Sequence, residues 1–182
     1  MTDLRVLGLD LSLTCTGIAG ITDDSPWADH ITTGLRGHDR LAAIRTGLRE
    51  HTADLWVIEG LAYDAHDTER AGAGLHWIIR HALWRRGQRY VLIPPATLKK
   101  YATGNGAASK EDMLLAAERA FPGAHVAGND EADALWLAHA GRDRYGAPTV
   151  RIPAPRRALL TAVKKGRPVI DWPALDSLAV TA

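Results

Sequence analysis

The hydrophobic positions of this chain fall into short blocks whose period changes along the sequence. Leu4–Leu11 carries the apolar run Val6-Leu7-Gly8-Leu9 and ends on an acid, Asp10, where a core strand should not want one. After a turn over Ser12–Thr16, Gly17–Thr22 and Trp27–Thr33 read as two more strands, an opening antiparallel meander. Leu41, Ile44 and Leu48 share a helical face and predict a helix over about 38–51. Leu55-Trp56-Val57-Ile58 is a short buried strand that again stops at an acid, Glu59. A long helix is expected over about 67–87, with Leu75, Ile78, Ile79, Ala82 and Leu83 as its core stripe. Trp77, His81 and Trp84 lie on a second face, which suggests a helix packed on both sides. Tyr90–Ile93 is a strand stopped by Pro94-Pro95, and Gly104-Asn105-Gly106 marks a turn. Ser109 can cap a helix to about Phe121, with Asp112 adding first-turn charge. A last helix runs from Asn129 or Asp130 to about Tyr145.

The resulting order, βββαβαβ and two helices, predicts an α/β fold: a mixed sheet with helices on both faces. The strands ending at Asp10 and Glu59 can then be parallel neighbours, with the meander on one side. The 182 residues suit one domain, and no apolar run reaches the length needed to span a bilayer. The N-terminus leads straight into a strand without the layout of a signal peptide. Cys15 is the only cysteine, so an internal disulfide is excluded and a reducing cytoplasm is the default.

A net charge of +1 says little until it is mapped. From Arg85 to Lys110 the chain carries Arg85, Arg86, Arg89, Lys99, Lys100 and Lys110 with no acid between them. Residues 147–182 hold six basic side chains against Asp171 and Asp176, a net +4 that leaves −3 for the rest. Segregated positive charge suits a polyanionic partner, but charge runs alone favour the simpler reading of a solvated basic surface. In the tail, Arg156-Arg157 and Lys164-Lys165-Gly166-Arg167 are available for DNA, while Val169–Trp172 could add a strand or dock on the core.

Asp10 and Glu59 stand at the C-terminal ends of apolar strands, where open α/β sheets place their functional crevice. Asp130 and Asp133 are three apart at a helix start and share a face. Helix-dipole complementation, with Asn129 as cap, would account for Asp130 and Glu131 alone. It does not account for Asp10, because desolvating an unpaired carboxylate is costly. Hard oxygen donors suit magnesium. Two such ions can activate a water and stabilise the leaving oxygen of a phosphodiester.

At these residues the chain resembles the RuvC-like Holliday-junction resolvases of the RNase H-like fold, over about 4–144. Gly8-Leu9-Asp10-Leu11-Ser12-Leu13-Thr14-Cys15-Thr16-Gly17 is similar to the family's first motif, Val57-Ile58-Glu59 to its second, and Asp130-Glu131-Ala132-Asp133-Ala134-Leu135 to its last. Lys99 and Lys110 fall on the two lysines of its K-x5-G-x-G-x-A-x-K stretch. The chain departs where bacterial members usually have Pro-Gly after the first Asp (here Leu11-Ser12). It departs again three residues after the Glu, where an aromatic wedge is common and Ala62 stands, with Tyr63 one later. Such departures look more like phage-encoded relatives.

The resemblance implies an RNase H-like five-stranded mixed sheet over 1–146, with 147–182 as a basic extension. It implies a structure-selective endonuclease that nicks Holliday junctions and other branched DNA, leaving 5′-phosphate and 3′-hydroxyl. Asp10, Glu59, Asp130 and Asp133 would be the metal ligands, holding two Mg2+ ions for which Mn2+ substitutes. Lys110 would neutralise charge developing on the scissile phosphate. Lys99, Lys100, Arg85 and Arg86 would contact the backbone, with weaker support for Arg70 and Arg80, and Tyr63 is a candidate to stack on an unpaired base. It also implies a homodimer through the 67–87 helix, although the Trp77/His81/Trp84 face could instead pack within the chain. Location would be cytoplasmic, in a bacterium or a phage host. The competing readings are a non-catalytic RNase H-like nucleic-acid-binding or regulatory protein, and an actin-like kinase, for which the chain is short.

Overall fold

A computed structural model describes residues 4–61 and 71–175. Its central sheet has the strands β1 (Val6–Asp10), β2 (Cys15–Thr22), β3 (Ser25–Thr32), β4 (Leu55–Glu59) and β5 (Tyr90–Ile93) in the order β3-β2-β1-β4-β5. β1 pairs parallel with β4 and β4 with β5, while β1–β2 and β2–β3 are antiparallel. The expected adjacency of the Asp10 and Glu59 strands is therefore observed, with Leu9 opposite Ile58.

Period-two alternation divides the core. Leu7, Leu9, Trp56 and Ile58 face the helices α1 (Gly37–Gly47) and α2 (Ala71–Arg85), burying Ile44, Leu75, Ile79 and Leu83. Val6, Leu55 and Val57 face α5 (Asn129–Arg144) on the other side. Asp10 and Glu59 follow the second alternation, so both carboxylates point to the α5 face. α1 stops at Gly47, short of the expected 51.

α5 is buried from Glu131 to Asp143 except at Asp133, and it lies unusually close to the sheet. A Cβ at Gly8 would meet the carbonyl of Ala134 at 1.8 Å, and one at Gly17 that of Asp130 at 2.0 Å. Only glycine admits the helix backbone there. α5 has Gly128 as its N-cap with no capping side chain, not Asn129 as expected. Glu131 turns away from the strand ends instead. It accepts from the amide of Ala127 and meets His30 Nδ1 of β3 at 2.5 Å.

A helix the sequence did not lead us to expect, α3 (Pro95–Thr103), follows β5. Pro94-Pro95 does end β5, but Pro95 sits in the first turn of a helix, where its missing N–H costs nothing. Gly104, at φ 91°, closes α3 in the left-handed conformation. α4 (Lys110–Ala120) starts on a full capping box. Ser109 Oγ accepts from Asp112 N at 3.1 Å, and Asp112 Oδ2 from Ser109 N at 3.0 Å.

The tail docks on the α5 layer. It forms α6 (Ala154–Arg157), a 3-10 turn (Ala158–Thr161) and the hairpin β6 (Val163–Lys164) and β7 (Arg167–Pro168). Ile152, Leu160 and Ile170 enter the core, so Val169–Trp172 docks rather than adding a strand to the central sheet. A buried polar chain fixes it. Val150 N–H donates to His139 Nε2 (3.1 Å), which leaves Nδ1 as the protonated nitrogen facing Tyr101 Oη (2.9 Å). Tyr101 in turn donates to Asp143 Oδ2 (2.9 Å), whose Oδ1 takes Arg157 Nε at 2.5 Å. Arg156 donates to the carbonyls of Tyr101 and Ala102 at the end of α3. Both arginines, candidates for DNA from the sequence, also hold the tail in place.

Candidate metal centre

The carboxylates of Asp10, Glu59 and Asp133 converge where β1 and β4 end beneath the start of α5. One oxygen from each lies within 4.8 Å of the others, a group that could hold a metal ion. Asp130, one turn before Asp133, completes the cleft and bonds to Asp10. The cleft has a volume of about 330 Å³ and is also lined by His76, Lys99 and Lys110. After Asp10 the chain turns at Leu11-Ser12, where Thr16 Oγ1 donates to the Ser12 carbonyl at 2.7 Å. The missing Pro-Gly therefore leaves a closed turn.

Crowding perturbs the acids. Burial, then repulsion from Glu59, Asp133 and Asp130, holds Asp10 well above the usual carboxylate range. Glu59 is pushed up to about 7 by burial and then by Asp133, against the bond from Asp10 and the charge of Lys99. Asp133 rises to about 6 through burial, although Lys99 and Lys110 oppose it. Asp133 Oδ1 is buried with no hydrogen-bond partner. Mutually repelling oxygens, one without a partner, fit a hard divalent cation.

Lys99, from the middle of α3, and Lys110, the first residue of α4, flank the cleft from elements on either side of the glycine turn. Lys100 is exposed on α3, outside the cleft lining. Arg85 and Arg86 stand at the far end of α2, roughly 14 Å along the helix from His76. Arg86 bonds to the His51 carbonyl, near the opposite end of the sheet from the carboxylates. Arg80 stacks over Trp77 and Tyr90, at 4.5 and 5.5 Å. Ala62, Tyr63 and Arg70 lie outside the described residues.

Two neighbours of the site were not anticipated. His76 is buried in the cleft wall, its Nδ1 without a partner, and burial with the charge of Arg80 lowers its pKa to about 4. It adjoins the core position Leu75, and that helical spacing was the available signal. The Cys15 thiol bonds to Asp130 and is pushed up to about 11 by burial and the nearby acids. Trp77 and Trp84 are 64% and 67% exposed, so packing within the chain, one of the two readings of that face, is not what the described residues show.

A five-stranded mixed sheet with acids at the ends of its two central parallel strands and on the helix crossing them is an RNase H-like fold with a metal-type acidic centre. The RuvC structure from Thermus thermophilus superposes with a TM-score of 0.58 at 17% identity, covering 82% of this chain and all of that one. The T. thermophilus RuvC complex with a Holliday junction substrate gives 0.59 at 18% identity, over 82% and 99%. No family model matches the sequence. The crossover junction endodeoxyribonuclease RuvC of Acidiphilium cryptum is 31% identical over 170 residues, covering 82% of this chain and 96% of the relative. That of Erythrobacter litoralis is 32% identical, over 81% and 98%. The chain belongs to the RuvC family.

Proposed function

We propose that this protein is a Holliday-junction-resolving endonuclease that hydrolyses one phosphodiester per site with magnesium, manganese substituting, and leaves 5′-phosphate and 3′-hydroxyl ends. The observation that carries this reading is the convergence of Asp10, Glu59 and Asp133 on one cleft with Lys99 and Lys110 at its rim. Asp10, Glu59 and Asp133, with Asp130 beside them, would hold two ions. When bound, these supply an activated water and charge stabilisation at the leaving oxygen. Lys110 lowers the cost of charge accumulating on the scissile phosphate. Lys99 balances the carboxylates and contacts the backbone, and Lys100 reaches phosphates further out. Residues 1–146 form the nuclease domain and 147–182 a basic extension.

Duplex cleavage at a four-way junction needs two sites aimed at two strands. The exposed Trp77, His81 and Trp84 face of α2 is the surface this reading assigns to a two-fold dimer. Among the described residues no helix is long and apolar enough to cross a membrane. Activity on cellular DNA supports a cytoplasmic location as part of this reading. The test compares a four-way junction, a fork, a flap and linear duplex, with magnesium, manganese or chelator. Asp10→Asn and Glu59→Gln should abolish cleavage and keep junction binding. Full activity in either variant would refute the metal assignment, and equal cutting of linear duplex would remove the junction preference.

A further inference from the structure

We propose that the C-terminal extension builds a second seat for the phosphate backbone of a duplex DNA arm: the cleft lined by Arg119, Arg151 and Arg156. The inference rests on the junction-nuclease reading, and extends it to a surface the family motifs do not include. This cleft, of about 650 Å³, is roughly twice the size of the carboxylate cleft. One wall is the α4 stripe Asp112, Leu115, Ala116 and Arg119, spaced so that Glu111 and Glu118 are not among its lining. The other is Val150–Ile152 of the tail with Arg156. Three guanidinium groups thus face one carboxylate, and Asp112 is already engaged by the Ser109 amide in its capping box. Arg119 and Arg151 are exposed, and no acid pairs with either among the described residues.

The seat is fixed. Arg156 is held by the α3 carbonyls, and the tail by the His139–Tyr101–Asp143–Arg157 chain. It is also continuous with the metal centre. Lys99 of α3 and Lys110 of α4, on either side of the 104–109 connection, line the carboxylate cleft, while Thr103 at the end of α3 and Asn105 and Ala108 of the connection line the second one. Lys99 and Thr103 are about one helical turn apart, roughly 6 Å along α3. Phosphates on one strand advance by about 3.4 Å per step. An arm with its scissile phosphate at Asp10 and Glu59 would carry phosphates a few steps further across the turn and into the arginines. Leu115, Ala116, Val150 and Ile152 line the cleft beside the arginines, and it is the continuity with the metal centre that favours a DNA arm over an acidic protein segment.

The test is an Arg119→Ala/Arg151→Ala double variant, with Arg119→Lys/Arg151→Lys as its charge-preserving partner. Binding of a fluorescent four-way junction, with arms about two helical turns long, is followed by anisotropy in chelator between about 50 and 200 mM salt. The alanine variant should lose affinity by roughly ten-fold, and its log–log salt slope should be shallower by about 2. The lysine variant should recover most of the slope, and all three proteins should melt together. Wild-type binding with an alanine variant of equal affinity and unchanged slope would overturn the proposal and return the cleft to an acidic protein partner. A wild-type protein that binds no junction would overturn the junction reading itself.

Discussion

Glu59→Gln should stabilise the metal-free protein. In the folded state Glu59 holds its proton up to about 7, against a normal value of 4.5, chiefly because it is buried and because Asp133 lies beside it. Between those two values the folded chain binds more protons than the unfolded chain, so stability falls as pH rises through the window. At pH 8 the group is ionised in both states and the whole penalty is present. At 1.36 kcal/mol per unit this reaches about 3 kcal/mol, and solvent entering the open cleft brings the expected gain to about 1–3 kcal/mol. The isosteric amide removes the charge and keeps the shape. In a protein of this size the gain corresponds to a melting-temperature rise of roughly 3–10 °C. The assay is thermal unfolding followed by circular dichroism in chelator, at pH 8 and near pH 4.5, then at pH 8 with magnesium. The variant should melt higher at pH 8, and the difference should close as pH falls to where wild-type Glu59 is protonated. Magnesium should narrow the gap from the other side, because wild type gains binding free energy that the variant has lost. A variant that melts with or below wild type in chelator at pH 8, or a gap that widens on acidification, would refute the account of Glu59 as a repelled, metal-awaiting carboxylate.

Other outcomes follow from the same geometry. His139 is fully buried and its pKa is lowered to about 4, chiefly by desolvation, so the unfolded chain takes up its proton first. Its contribution should fade as pH drops from about 6.5 toward 4, by up to about 3 kcal/mol, seen as a shrinking urea-denaturation difference between wild type and His139→Gln. Gly17→Ala puts a methyl 2.0 Å from the Asp130 carbonyl and should cost about 1–3 kcal/mol and most cleavage, whereas Gly34→Ala, with nothing within 4 Å, should do neither. Lys110→Ala should slow single-turnover junction cleavage by on the order of 10²-fold, while Lys100→Ala, outside the cleft, should change binding and its salt dependence instead. Trp77→Glu/Trp84→Glu should convert a sedimenting dimer to monomer, and a wild-type protein that sediments as a monomer would refute the α2 interface.

How much of this could be read from residues alone depended on the range of the interaction involved. The β1–β4 pair was legible because its signal is local: Val6-Leu7-Gly8-Leu9 and Leu55-Trp56-Val57-Ile58 are each a short continuous apolar run, and each ends on its acid. The capping of α4 was legible because Ser109 and Asp112 bond across a single turn. α3 was not, because Pro94-Pro95 reads as a stop, and whether a proline ends an element or opens the next depends on where Leu98, Tyr101 and Ala102 find a core. The tail was illegible for the same reason at longer range. Arg157 binds Asp143, Arg156 the carbonyls of α3, and Trp172 the Leu160 carbonyl, so its short elements have no periodic signal of their own.

The carboxylates themselves required both ranges. Spacing alone placed Asp130 and Asp133 on one helical face and left open whether that face served the dipole or a metal. What decides it is the bare backbone at Gly8 and Gly17, which brings α5 down onto β1 and β2 until Asp133 reaches Asp10 and Glu59. Glu131, on the same turn, is turned the other way and hydrogen-bonded by His30 and the Ala127 amide. Of the three acids in Asp130-Glu131-Ala132-Asp133, the fold thus satisfies the one it does not need at the cleft and leaves an oxygen of Asp133 without a partner. A helix recruiting acids only for its dipole would have no reason to separate them this way. The separation is therefore the strongest physical argument that a cation belongs at that cleft.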